Sequence, residues 1–408
     1  MTESSDDRLP LRTLFPLVLL SATAPVSSDM YLASFPEIRN DLHTTASLVQ
    51  LTLTAFLVGI GLGQLLWGPV SDHVGRYRPM LVGACVALAG SVAAALAPTI
   101  GVLIVARLLQ ALGGAACVVA GSASIADRVR GFALVRTVTL MGAIIGLAPI
   151  VAPTVGGLLA ERVPWRVILG ILCCFTVCQL VAILFFLRET MPPERRSPRV
   201  NYRHIGVLFR RPQYIGHVGT QVLGFVTLMT YVSSSSFVFQ RYVGLSSTAY
   251  GLCFALNAVG LMSGNYASSR LARRRVHPAH TVGRALPVTV TMAALMVVVV
   301  LAHAPHWLLL LPLFGTVASL AFVSGNCNAL ALEQARDVAG SGSGVNSGVG
   351  FFAAGLISPL GGIAGEDTAV PMVVTMLVAA TLAALCFFAT RRYMATRPEL
   401  EASYAAAV

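Results

Sequence analysis

Apolar positions in this chain do not alternate with polar ones at helical or strand spacing. They come in long blocks of roughly 18–25 residues, each able to cross about 30 Å of hydrocarbon as a helix. The blocks predict spans at residues 14–35, 47–70, 79–97, 101–126, 137–160 and 165–187. After a polar interval, six more are predicted at 214–239, 248–269, 285–303, 307–331, 342–365 and 371–389. The expected class is an all-α membrane protein of twelve transmembrane helices in two six-helix bundles. The expected domains are an N-terminal bundle (1–187), a cytoplasmic Arg/Pro-rich linker (188–213), and a C-terminal bundle with a cytoplasmic tail (214–408). The first block runs into Asp29 and further spans rather than a small-residue cleavage site, so it reads as a retained span.

Composition agrees with lipid as the solvent. The 408 residues are 56% hydrophobic and 11% charged, with mean hydropathy +0.77, against about 25% charged in soluble domains. The net charge of +11 follows from topology. With the N-terminus inside, the predicted inner segments hold Arg8, Arg12, Arg76, Arg78, Arg128, Arg130, the linker arginines, Arg270, Arg273 to Arg275, Arg336, Arg391 and Arg392. The outer loops hold Arg39, Arg162, Arg166 and Arg241. This asymmetry predicts both termini in the cytoplasm and leaves no need for a nucleic-acid partner.

All 28 basic residues are arginine. Without lysine the chain has no Walker A phosphate contact and no Schiff-base nucleophile, which disfavours ATP-driven and retinal-driven pumping. The eight cysteines fall within predicted spans and read as small packing residues. The eight histidines fall mostly in loops or at span ends and read as solvated or interfacial. No catalytic residue, metal ligand or cofactor site emerges.

Of the seventeen acids, Asp29 is the one placed well inside the predicted hydrocarbon. Burial there disfavours the charged form, so the group can load and release a proton. Arg107 is the only arginine placed deep in a predicted span. Both lie about six residues, or roughly 9 Å, from the outer ends of their spans, so a shared polar cavity would satisfy both, with a structural ion pair as the alternative.

Three motifs then carry a family resemblance. Gly68-Pro-Val-Ser-Asp72-His-Val-Gly75-Arg76-Tyr-Arg78 resembles the loop signature between spans two and three of the major facilitator superfamily. Arg107-Leu-Leu-Gln110-Ala-Leu-Gly113-Gly114 resembles its span-four motif, associated with proton coupling. Gly142, Gly146, Pro149, Pro153, Gly156 and Gly157 resemble the span-five antiporter motif. Ser28-Asp29-Met30-Tyr31-Leu32, Val49-Gln50-Leu51-Thr52-Leu53-Thr54 and Gly63-Gln64-Leu65 are similar to the bicyclomycin and chloramphenicol resistance (Bcr/CflA) branch. Departures are Ala33 and Ser34, where a proline usually follows the leucine, and His73 and Tyr77, in place of commoner basic residues.

Each motif also has a physical reading. Gly68 and Gly75 are expected to allow a tight turn, Asp72 to complement the start of span eleven, and Arg76 with Asp127 to complete a charge cluster. The span-five glycines and prolines are expected to form a hinge or seal. Candidates for contact with substrate are Tyr31, Gln110, Tyr231, Asn257, Asn265, Asn326 and Asn328. Tyr231 and Asn326 are favoured because spans seven and ten line the cavity in the family the chain resembles.

The resemblance implies proton-coupled efflux of small amphiphilic drugs, such as amphenicol- or bicyclomycin-type antibiotics, by alternating access. It implies a monomer in the bacterial cytoplasmic membrane, with drug and protons as partners, no cofactor, and the proton gradient as energy source. Alternatives are an exporter dedicated to a host natural product, a metabolite uptake facilitator, and, from a different class, a membrane enzyme.

Overall fold

The computed structural model describes residues 11–129, 131–197, 206, 208–334, 339–362 and 368–396. Its helices are α1 (Leu11–Ser21), α2 (Thr23–Asp29), α3 (Phe35–Asp41), α4 (Ala46–Val74), α5 (Tyr77–Ala95), α6 (Ile100–Arg128) and α7 (Gly131–Ala160). They continue with α8 (Trp165–Phe186), α9 (Pro212–Phe237), α10 (Ser247–Arg273), α11 (Pro278–Leu301), α12 (Leu310–Glu333), α13 (Ala339–Ile357) and α14 (Val370–Ala395). No strand occurs among the described residues. With α1 to α3 sharing the first span, the helices make the expected twelve.

Eight helices among the described residues are each long and apolar enough to cross a bilayer. Of the other four spans, the first is broken into α1 to α3, and α7 is one continuous helix over Gly131–Ala160. Helix α10 carries Asn257 and Asn265, and α13 is rich in glycine and serine.

The expectation of one continuous first helix over residues 14–35 does not hold, and proline explains why. Pro25 has no N–H for the Ser21 carbonyl, so α1 ends at Ser21 and α2 starts anew at Thr23. Pro36 likewise leaves the Leu32 carbonyl without its helical donor, and the chain tightens to a 3-10 turn at Leu32–Ser34. Such breaks are tolerable in lipid only if neighbours satisfy the freed backbone. At the first break Gln179 Nε2 of α8 donates to the Leu19 carbonyl (2.9 Å) and to Thr23 Oγ1 (2.7 Å).

Two further boundaries, and the setting of one histidine, differ from expectation. Helix α4 continues to Val74, so Gly68 lies within the helix and only Gly75 makes the turn, at φ +103°. Helix α11 begins at Pro278, earlier than 285, because the His277 side chain caps it and Pro278 starts it. Arg284 therefore lies inside a helix. His217 is not interfacial but buried in α9, 1% exposed, with its ring against Phe387.

By contact the chain forms two compact units. One comprises the described part of Met1–Asn201 with Val232–Leu256; the other comprises the described parts of Tyr202–Tyr231, Asn257–Ala364 and Thr368–Val408. The segment 232–256 joins the first unit because glycines remove the barrier to approach. A β-carbon at Gly157 would meet the Ser247 carbonyl at 2.5 Å, and one at Gly251 would meet the Pro153 carbonyl at 2.7 Å. In the same unit α6 packs between α4 and α5 through small residues, and Gly113 lies against the backbone at Gly83 and Ala87. Capping threonines start α4 and α6: Thr45 accepts from Leu48 N and Thr99 from Val102 N.

Candidate functional site

The centre of the site is Arg107, which is 0% exposed. Taking a guanidinium out of water costs several kcal/mol unless its surroundings compensate. Here no anion pairs with it; Nη1 and Nη2 are served by neutral groups, while Nε is buried without a hydrogen-bond partner among the described residues. Nη2 donates to the Ser27 carbonyl (2.6 Å) and Nη1 to Gln110 Oε1 (2.5 Å). The cation also lies 4.2 Å from the Tyr31 ring centroid and 4.3 Å from that of Phe56, contacts worth up to about 2 kcal/mol when desolvated. Ser27 stands in the last turn of α2, where carbonyls lack helical donors and the helix dipole favours a cation. Arg107 therefore holds the second break of the first span, as Gln179 holds the first.

Asp29 is the last residue of α2 and is 8% exposed. It was expected to share its surroundings with Arg107, but the two form no ion pair within 4 Å. The guanidinium is committed to the Ser27 carbonyl, whereas the carboxylate Oδ1 accepts from Ser28 Oγ (2.6 Å). A network runs outward from Arg107: Gln110 Nε2 donates to Ser91 Oγ (2.8 Å), which bonds Thr176 Oγ1 (3.1 Å). Tyr31 bonds Thr52 (3.0 Å) through the two hydroxyls. Thus Tyr31, Arg107 and Gln110 are brought together. The span-five motif closes on the same place, since a β-carbon at Gly156 would collide with the Met30 carbonyl. Pro149 and Pro153 lie inside α7 and Gly146 lies near its middle. The surroundings of Gly142 lie outside the described residues.

A second cluster forms at the turn between α4 and α5. Arg76 Nη1 donates to Asp72 Oδ1 (2.7 Å) and Ser71 Oγ (2.9 Å), and Nε donates to Asp127 Oδ2 (3.1 Å). Sequence reasoning missed Glu189, which lies in the expected linker. Its carboxylate accepts from Arg76 N (2.9 Å) and Tyr77 N (3.2 Å), capping the start of α5, and it fills the space over Gly75. Burial alone would raise the Glu189 carboxyl, but the backbone N–H groups of Arg76, Met191, Tyr77 and Thr190 outweigh it and hold it below the usual range. Thr190 Oγ1 also donates to Asp127 (3.1 Å).

In the second unit Tyr231 and Asn257 are buried. Asn326 Nδ2 is tied to Ser268 Oγ (2.7 Å) and to the Phe322 carbonyl (2.8 Å). The bonds linking α9, α12 and α13 instead come from Asn346, which donates to Gln221 Oε1 (2.8 Å) and Asn328 Oδ1 (2.7 Å). Among the described residues no group of three His, Cys, Asp or Glu could hold a metal ion.

The Major Facilitator Superfamily profile matches residues 17–359. The chain belongs to the major facilitator superfamily. This transporter is 34% identical over 385 residues to a Bacillus subtilis (strain 168) protein described as the uncharacterized MFS-type transporter YdgK, covering 93% of this chain and 95% of that one. It is 28% identical over 386 residues to a bicyclomycin resistance protein homolog of Haemophilus influenzae, covering 93% and 96%. That likeness accords with the branch its first-half motifs resemble. A crystal structure of a D-xylose-proton symporter shares the fold, with TM-score 0.70 at 13% identity over 93% of this chain and 95% of that one. The protein is thus a multi-pass membrane transporter and not an enzyme.

Proposed function

We propose that this transporter exports small amphiphilic drugs, of the amphenicol or bicyclomycin type, against protons entering through Asp29. The observation that carries the reading is a buried carboxyl with a single hydroxyl partner, two residues from a carbonyl held by an equally buried arginine. A carboxyl locked to Arg107 would resist protonation. One stabilised only by Ser28 can alternate between charged and neutral forms as its access to water changes. Tyr31, Gln110, Tyr231 and Asn257 are the polar groups proposed to meet drug, and the Arg76 cluster is proposed as the cytoplasmic gate.

The reading places the transporter in a bacterial cytoplasmic membrane as a monomer, both termini inside, with no cofactor and the proton gradient as driving force. The test is expression in a drug-sensitive cell lacking its own pumps. Resistance to an amphenicol or related amphiphile should rise, and drug accumulation should rise when a protonophore collapses the gradient. Resistance indifferent to the protonophore would remove the antiport claim.

A further inference from the structure

A cleft of about 390 Å³ opens among α10, α11 and α12 of the second unit. Leu271, Val276, Val288, Gly315 and Phe322 help make it apolar, and Arg284 is the one charged residue lining it. Arg284 is exposed and makes no ion pair or hydrogen bond among the described residues.

Its place on the helix makes that unusual. At positions four, eleven and fourteen beyond it, on the same face of α11, stand Val288, Leu295 and Val298, which are 47%, 42% and 59% exposed. In a membrane protein such a face meets acyl chains. Arg284 lies six residues into the helix, about 9 Å along its axis, at the depth where a guanidinium reaches for the headgroup layer. No protein carboxylate serves it there, and the anion available at that depth in a bilayer is a lipid phosphate. Arg273, Arg274 and Arg275 stand next to the cleft residues Leu271 and Val276 and add positive potential at its mouth.

We propose that this cleft binds an anionic phospholipid, with the phosphate on Arg284 and an acyl chain along Val288 and Phe322. A free phosphate would gain nothing from the apolar walls, and a neutral amphiphile would leave Arg284 without its anion.

The test is the full-length transporter in nanodiscs of mixed neutral and anionic phospholipid, with retained lipids counted by native mass spectrometry. Wild type should retain anionic lipid selectively. Arg284→Gln should lower that retention roughly fivefold, the scale of one lost phosphate contact near the surface, and Arg284→Lys should keep most of it. Val288→Trp, at an exposed position, should fill the cleft and expel the lipid with the charge intact. Arg392→Gln, on the exposed end of α14, should change nothing, and melting in neutral lipid confirms that each variant is folded. Equal retention by wild type and Arg284→Gln would overturn the proposal. So would displacement by millimolar inorganic phosphate, or equal occupancy by neutral lipid or by a drug-like amphiphile.

Discussion

Arg76 and Arg107 are both buried, 7% and 0% exposed, yet they are neutralised in opposite ways. Arg76, at the α4–α5 turn, takes two carboxylates: Asp72, whose side chain is 57% exposed, and Asp127, at 23%. Near water, charges can be brought together without a large desolvation cost. Arg107 takes a carbonyl, an amide and two rings and leaves the nearby carboxyl of Asp29 to a serine. The contrast assigns them different work. The paired cluster fixes a loop; the arginine served by neutral groups is the one beside the acid proposed above to carry the proton.

The sharpest way to break this contrast is to remove the acid. Asp29→Asn should abolish proton-driven efflux, because an amide cannot titrate at any working pH, while drug binding survives. Asp29→Glu should keep partial function with a shifted pH optimum, since the longer carboxyl changes its burial and its hold on Ser28. The measurement is drug efflux against pH in inverted vesicles. Full proton-driven efflux by the Asn variant would reduce Asp29 to a structural residue.

The next effect tests whether Arg107 is structural alone. Arg107→Leu removes a desolvated charge but orphans the Ser27 carbonyl, at a cost of roughly 1–3 kcal/mol. The protein should therefore still fold, with a modest drop in melting temperature in detergent, yet lose transport. A variant that melts normally and transports normally would show that the broken span needs no cation.

At the other arginine, Arg76→Gln should leave Asp127 without its cation and destabilise by roughly 1–3 kcal/mol, tempered by partial exposure. Transport should slow rather than stop, and its pH optimum should stay where it is. A shifted optimum would mean that the surface cluster, too, takes part in coupling.

The fold was legible from the sequence because lipid imposes one rule, a long apolar block for each crossing, and twelve such blocks are visible. What escaped was local and polar. Proline at 25 and 36 announces the breaks in the first span, but which side chains repair them depends on helix neighbours, so Gln179 remained invisible in α8. Asp29 and Arg107 were legible as rare ionisable groups, but their separate partners were not, since depth gives height along the membrane and not rotation about a helix. Glu189 sits more than a hundred residues from the turn it caps, in a segment that reads as a polar linker. Arg284 was hidden by a boundary placed seven residues late. A capping histidine followed by proline is the signal that would have found it.

The smallest effect is expected at Asp72. Its carboxylate bonds Arg76 at i,i+4 but is more than half exposed, and exposed pairs contribute about 0.2–1 kcal/mol because water and salt screen them. Asp72→Asn keeps the size and can still accept a hydrogen bond from Arg76, which retains Asp127 and Ser71. The melting temperature should fall slightly or not at all. If the cluster only fixes the loop, turnover in proteoliposomes should follow that small change and converge with wild type at high salt. If Asp72 acts in the gating step, as its place in the loop signature implies, turnover should fall well beyond the stability change while drug affinity holds. Wild-type turnover in Asp72→Asn at low salt would show that the carboxylate serves only as a solvated turn, leaving Asp127 and Glu189 to hold Arg76 and its backbone.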